Sequence, residues 1–249
     1  MFLYLERDTP LHTLNPVTKI IGLVLLLILP LSTTHPLGLL PSLAFVLFLL
    51  YLAKAFRNLR RMWWFVLLLG AVSIVLWSFF RQGQTILFRL GFLSVSRESV
   101  LYGLGMGIRL NVMLISGLVF LSCTKVEEFT LGLRKLGLPF SMSFALSLAF
   151  RLVPLFFTTA STVLQAQRAR GLDLKRGSVI QRVKKYVPLL IPIFVYAVRN
   201  TDQLAMALES RGFGARRERT YYIEYQMKKI DLAVLLFLGA ADVISFWLL

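Results

Sequence analysis

Residues 63–80 run from Trp63-Trp64-Phe65 to Ser78-Phe79-Phe80 through eighteen positions without one charged side chain. Wound as a helix such a run rises roughly 27 Å, close to the hydrocarbon thickness of a bilayer, so it reads as a membrane span. Composition supports this over a buried core helix: the 249-residue chain is 57% hydrophobic with a mean hydropathy of +0.72, more apolar than soluble domains of its size. The same chain carries a net charge of +16. In a membrane protein that excess follows from cytoplasmic loops held against an anionic membrane face. Nucleic acid is the other partner a basic chain suggests, but the apolar spans argue against it and no recognition motif is present, so no nucleic acid is expected.

Four further spans follow from hydropathy and charge. The apolar stretch up to Ala53 is broken by Pro30, Pro36 and Pro41. The break at Ser32-Thr33-Thr34-His35-Pro36 carries no lysine or arginine, whereas Arg57, Arg60 and Arg61 follow the stretch. Two short spans, 17–32 and 37–53, therefore place the N-terminus and the arginine cluster both in the cytoplasm, with tilt or local bilayer thinning expected. Trp63 and Trp64 mark the cytoplasmic start of the third span. Residues 81–97 form an external loop in which Arg81, Arg89 and Arg97 run moderately against the positive-inside tendency, and 100–122 is the fourth span. The last is 232–249. Glu6, Arg7 and Asp8 stand where a secretory signal should be simply basic, so no signal peptide is read there. Gly103-Leu104-Gly105-Met106-Gly107 lacks the third glycine of a dinucleotide fingerprint and follows no strand. Gly103 and Gly107 lie on one helix face and are expected to serve close helix packing. Arg109 and Asp242 both fall inside spans, where charges pair or face protein, and they are a candidate pair.

Residues 125–229 admit two topologies. A hairpin of 140–164 and 186–198 would cross the bilayer and expose 165–185 outside. That loop holds Arg168, Arg170, Lys175, Arg176, Arg182, Lys184 and Lys185 against Asp173 alone, a severe breach of the positive-inside rule. The region is therefore expected in the cytoplasm as long amphipathic helices. The apolar faces of these helices, including Phe144, Leu148, Leu152, Leu155 and Phe156, then meet lipid headgroups, each other, or another membrane protein. The fold class expected is all-α: a polytopic membrane protein of about five transmembrane helices plus a cytoplasmic coupling domain. Its divisions are an N-terminal transmembrane domain over 1–123, the cytoplasmic helices over 124–229 and a C-terminal transmembrane helix over 230–249.

Within that region two helices each run into an Arg-Gly stop, Ala169-Arg170-Gly171 and Ser210-Arg211-Gly212. Each is preceded by the same phrase, Val153-Pro154-Leu155 and Val187-Pro188-Leu189. Arg170 lies 16 residues beyond Pro154 and Arg211 lies 23 beyond Pro188. The difference of seven, about two turns, puts both arginines on similar faces relative to their prolines. Glycine just past a helix is the common left-handed cap, and arginine in the last turn suits the negative end of the dipole.

With these ends, and with Leu14-Asn15-Pro16-Val17-Thr18-Lys19, Leu136-Gly137-Leu138-Pro139, Phe150-Arg151-Leu152-Val153-Pro154 and Ala207-Leu208-Glu209, the chain resembles over its whole length the transmembrane T component of energy-coupling factor (ECF) transporters, prokaryotic importers of vitamins and metal ions. It departs from the family pattern in Ser210 for alanine and in Asn15 where aspartate is common; serine is small enough to keep the fit. The resemblance implies a coupling subunit of the cell membrane that holds two ATP-binding cassette (ABC) ATPases through Ala169, Arg170, Gly171, Ser210, Arg211 and Gly212. It also implies binding to a substrate-capturing membrane protein, the S component. Arginine suits a docking tip because its planar guanidinium makes several charge-assisted bonds at once.

No catalysis is expected of the chain itself, since it has no Gly-x-x-x-x-Gly-Lys-Ser/Thr loop to hold phosphates. One cysteine, Cys123, and two histidines, His12 and His35, give no disulfide framework and no zinc cluster, so neither metal nor cofactor is expected. Two other classes compete. A membrane-embedded lipid enzyme would need a catalytic cluster that Asp173, Asp202 and Glu209 do not form. A stand-alone secondary transporter would need polar or broken helices at the midplane of several spans.

Overall fold

The computed structural model describes residues 4–7, 9–33, 35–80, 86–90, 93–174, 178–215 and 225–247, with the backbone alone at 86–90, 93–95 and 179. The chain is an all-α membrane protein with one short strand pair, and its backbone contacts divide it into two compact units. Met1–Phe140 and Tyr225–Leu249 make the first, Ser141–Glu224 the second.

In the first unit α1, Pro16–Ile28, begins where Pro16 occupies the first helical position and the Asn15 side chain accepts from the Val17 N–H. It tightens into a 3₁₀ turn, Leu29–Leu31, and stops before α2, Pro36–Leu52, which also opens on a proline. Helix α3, Phe56–Phe80, starts about two turns before its apolar run because Arg57, Arg60 and Arg61 are good helix formers. The external loop expected next contains an antiparallel pair, β1, Ile86–Leu90, and β2, Leu93–Ser96, with Leu90 opposite Leu93. Arg81 lies outside the described residues. The side chain of Ser96 then caps α4, Arg97–Cys123. This central helix packs on α1, α2 and α3, while α5, Val126–Lys135, and α8, Lys229–Trp247, both pack on α1. Val112, Ile115, Leu118 and Val119 of α4 share one core with Leu26, Val46, Leu50 and Leu238.

Gly103 and Gly107 lie against the backbone of α3. A Cβ on Gly103 would stand 3.1 Å from Ile74 Cα, and one on Gly107 would stand 3.4 Å from the Gly70 carbonyl oxygen. Arg109 does not pair with Asp242. Its Nη2 donates instead to the Thr33 carbonyl at 2.5 Å, and no ion pair joins Arg109 to Asp242 among the described residues. The physical reason is the break after α1: carbonyls past a helix end lack intrahelical donors, and Thr33 offers one at Arg109's depth.

The second unit contains α6, Phe140–Ala169, and α7, Val179–Ser210. Ser178 and Gln181 close a capping box at the start of α7. The two helices run antiparallel: the Phe144 and Phe213 rings stand 4.6 Å apart at one end, and Gln167 Nε2 comes within 3.5 Å of the Pro188 carbonyl at the other. That carbonyl is available because Pro192, four residues on, has no N–H to donate to it. Among the described residues of this unit, Ser143 of α6 and Leu189 of α7 alone are buried within these helices.

By length and composition α3, α4, α6 and α8 are able to cross a membrane, while Pro16–Leu31 and Pro36–Leu52 are shorter apolar helices.

Candidate functional site

The ends of α6 and α7 are built alike. After Ala169, Arg170 is the last residue before Gly171, whose φ is +90°. The Gly171 N–H donates to Arg168 O at 2.9 Å and the Leu172 N–H to Gln167 O at 3.0 Å. At α7, Gly212 has φ +74°; its N–H reaches Glu209 O at 2.8 Å and the Phe213 N–H reaches Leu208 O at 2.9 Å. Both are Schellman closures, in which a left-handed residue turns the chain back so that two of the last carbonyls are satisfied. Glycine adopts that conformation without the steric cost any other residue meets. Each closure leaves its arginine at the C-cap. Arg170 and Arg211 are exposed, and neither makes an ion pair with a described residue.

Because the helices are antiparallel, the two tips sit at opposite ends of the pair. Arg211 lies near the start of α6, sharing a groove of about 490 Å³ with Leu148, Arg151, Leu152 and Leu155. Phe144, Leu148, Leu152, Leu155 and Phe156 therefore run along α7, with Leu152 and Phe156 also lining a second groove beside Val198. Larger uncovered apolar side chains are Met142, Phe157, Val187, Leu190, Ile191 and Phe194. Of the cations expected after α6, Lys175 and Arg176 lie outside the described residues. Lys185 Nζ donates to the Asp173 carbonyl at 2.7 Å, drawing the start of α7 to the chain leaving α6.

The first unit holds a polar knot that sequence reasoning missed. Lys19, 8% exposed, sends its three N–H groups to His12 O at 2.8 Å, Cys123 O at 3.0 Å and Glu128 Oε2 at 2.8 Å. Asp231, 1% exposed, accepts from the Asn15 N–H at 2.9 Å and the Lys228 N–H at 2.8 Å. The Asn15 side chain spans the gap, accepting from Val17 N and donating to Tyr225 O at 3.2 Å. The ends of α1, α4, α5 and α8 are thereby tied through fully partnered charges, the condition under which buried charge is tolerated. A lone lysine one turn into an apolar helix was the available signal, since it must find a partner. Nearby, Lys125 lies 5.4 Å from the Tyr4 ring centroid and 3.8 Å from Glu6. Tyr4 is the main cause of a raised Lys125 pKa, and burial raises the Tyr4 and Tyr225 phenols. Among the described residues no three His, Cys, Asp or Glu side chains stand together to hold a metal ion.

These features define a multi-pass α-helical membrane protein that carries two long, mostly uncovered helices, each ending in an exposed arginine on a left-handed glycine. Residues 7–222 match the CbiQ family, described as cobalt transport protein. The chain is 31% identical to an energy-coupling factor transporter transmembrane protein of Thermanaerovibrio acidaminovorans, covering 96% of this chain and 95% of that one. Proteins of the same name from Thermosediminibacter oceani and Listeria innocua are 30% and 26% identical, over 95% and 98% of this chain and 92% and 96% of theirs. The chain belongs to this family of energy-coupling factor transmembrane proteins.

Proposed function

We infer that the chain is the coupling subunit of an ECF importer, receiving two ABC ATPases at Arg170 and Arg211 and transmitting their motion to an S component that carries a vitamin or a metal ion. The observation that carries this reading is the pair of identical helix ends. Each presents a guanidinium that makes no ion pair with a described residue at a sharply turned, solvent-facing tip, suited to charge-assisted bonds with carboxylates or carbonyls of a partner groove. Ala169 and Ser210 are small enough for the partner to approach the turn closely. The ATPase chemistry belongs to the partners, so this subunit is not itself an enzyme.

The helices α6 and α7 lie on the cytoplasmic side of a prokaryotic cell membrane, in the region 124–229, with the N-terminus on the same side and residues 230–249 returning into the bilayer. Helix α6 alone is apolar enough to cross, but α7 is not among the spanning candidates and carries Arg199 and Asp202 in its second half. A crossing α6 would therefore lack a return partner. The apolar sides of the pair, including Phe144, Leu148, Leu152, Leu155 and Phe156 where the grooves leave them open, supply the surface for the S component or the membrane.

Co-purification tests the docking assignment. Arg170→Glu or Arg211→Glu is expected to lose most of the bound ATPase while the subunit still inserts; normal assembly and uptake by both variants would refute it. Single cysteines at 170 and 211, introduced after replacing Cys123, should both be labelled from the cytoplasmic side. Labelling from opposite sides would overturn the topology.

A further inference from the structure

We propose, resting on the docking of ATPases at the two helix ends, that Arg151 is a third docking arginine. With Arg211 it forms a site for one aspartate or glutamate side chain of the ATPase seated at the end of α7.

The seam between α6 and α7 has two unlike sides, and Leu152 borders a groove on each. On one side Ala149, Val153, Phe156, Ala197 and Val198 wall a volume of about 500 Å³. Phe194 and Ile191, one and two turns before Val198, continue that side as exposed apolar surface. On the other side Arg151, Asn200, Gln203 and Arg211 join the leucines around the groove of about 490 Å³. The helical repeat keeps the sides apart: Arg151 and Val153 flank Leu152 and differ by about 200° around the axis of α6.

The polar groove carries charge of one sign. Arg151 and Arg211 are exposed, and neither has an ion-pair partner among the described residues. The described residues lining the groove include no acid, and Asp202, next to Gln203, borders the opposite side. Two guanidiniums on one cleft with leucine walls concentrate a positive potential there. A carboxylate answers it in both charge and donor count. It accepts up to about four hydrogen bonds, which arginine forks and carboxamide N–H groups supply. An apolar occupant would strand those donors away from water.

An anionic phospholipid also brings negative charge, but its acyl chains would then lie on this polar side, whereas the exposed apolar side chains are across the seam. A protein carboxylate has no such tail. The groove is also continuous with the Arg211 turn, where the ATPase is placed.

The test uses the full chain in phosphatidylcholine nanodiscs, titrated with the ATPase pair that co-purifies with it. Arg211→Gln and Arg151→Gln should each weaken binding about tenfold, the scale of a charge-assisted hydrogen bond. The double variant should lose clearly less than about a hundredfold, because both arginines serve one carboxylate. A photo-crosslinking p-benzoylphenylalanine at Ala207, a small residue on the groove wall, then identifies the ATPase peptide that enters. Exchanging the acid of that peptide for arginine should restore binding to Arg151→Glu, a rescue that a merely structural role for Arg151 would not give. A loss in Arg211→Gln alone would overturn the proposal and leave the docking at the helix ends standing, whereas no loss in either variant would overturn both. Fully additive losses, or no rescue by the charge exchange, would also overturn the shared site. Phosphatidylglycerol bound by the subunit alone and released by Arg151→Gln, with ATPase affinity unchanged, would assign the groove to a lipid headgroup instead.

Discussion

The two units spend similar sequence on opposite ends. In the first, α4 alone buries eleven residues, and charged groups from opposite ends of the chain are fully partnered. In the second, two helices of 30 and 32 residues bury almost nothing and leave Phe157, Leu190, Ile191 and Phe194 uncovered. Both are apolar, so hydrophobicity does not separate them. What separates them is burial: the first unit buries side chains and partners the charges at the Lys19 and Asp231 knot, though Arg109 Nε and Asp242 Oδ2 have no partner among the described residues. A unit that buries its own side chains is built as a scaffold; one that holds its arginines outward beside left-handed glycines offers the kind of surface that the proposed docking needs.

The comparison breaks most sharply at Glu128. Glu128→Ala leaves the Lys19 ammonium buried without its counter-charge and should cost about 3–5 kcal/mol. The readout is thermal exposure of Cys123, the one thiol in the chain, which is buried at the knot. Lys19→Met combined with Glu128→Leu should recover most of that loss, because removing both charges also removes the desolvation penalty. Next in size is Gly103→Leu: a side chain 3.1 Å from Ile74 backbone must push α3 from α4, at a cost of about 1–3 kcal/mol in the same assay. In the second unit Gly212→Ala forces a side chain into φ +74° and should cost about 1 kcal/mol locally. It should leave Cys123 protection unchanged while weakening ATPase co-purification, and a lowered Cys123 melting point would show that the units are not independent. The smallest effect belongs to Asp242→Asn. Since Arg109 donates to Thr33 rather than to Asp242, the change should stay within about 0.5 kcal/mol, whereas Arg109→Met should exceed it.

Much of this architecture is written locally and is legible for that reason. The spans follow from runs of apolar residues, and the Schellman ends from glycines at 171 and 212 placed one residue after an arginine. What sequence reasoning missed is non-local. Hydropathy gives the depth of Arg109 and Asp242 but not their direction around the helix axis, so it leaves them a candidate pair, whereas the acceptor Arg109 finds is a carbonyl freed by the break after α1. The Lys19 knot brings together residues 12, 19, 123 and 128, and no periodicity links them. The strand pair at 86–90 and 93–96 is short and Leu87 interrupts its alternation, so the sequence pattern gives no more than a connecting loop there. The antiparallel course of α6 and α7 was likewise invisible: equal spacing from proline to arginine describes each helix, not which end of the pair a tip occupies.

The contact between Asn15 and Asp231 spans 216 residues. A growing chain can insert α1 almost as soon as it is made, yet the amide at the head of that helix has no carboxylate until nearly everything else has been synthesised. Closing so long a loop is entropically costly and kinetically late. The seam between α1 and α8 is therefore a completion mark: until α8 docks, the Asn15 N–H at the head of α1 stays without its carboxylate acceptor and the bundle is open at that end.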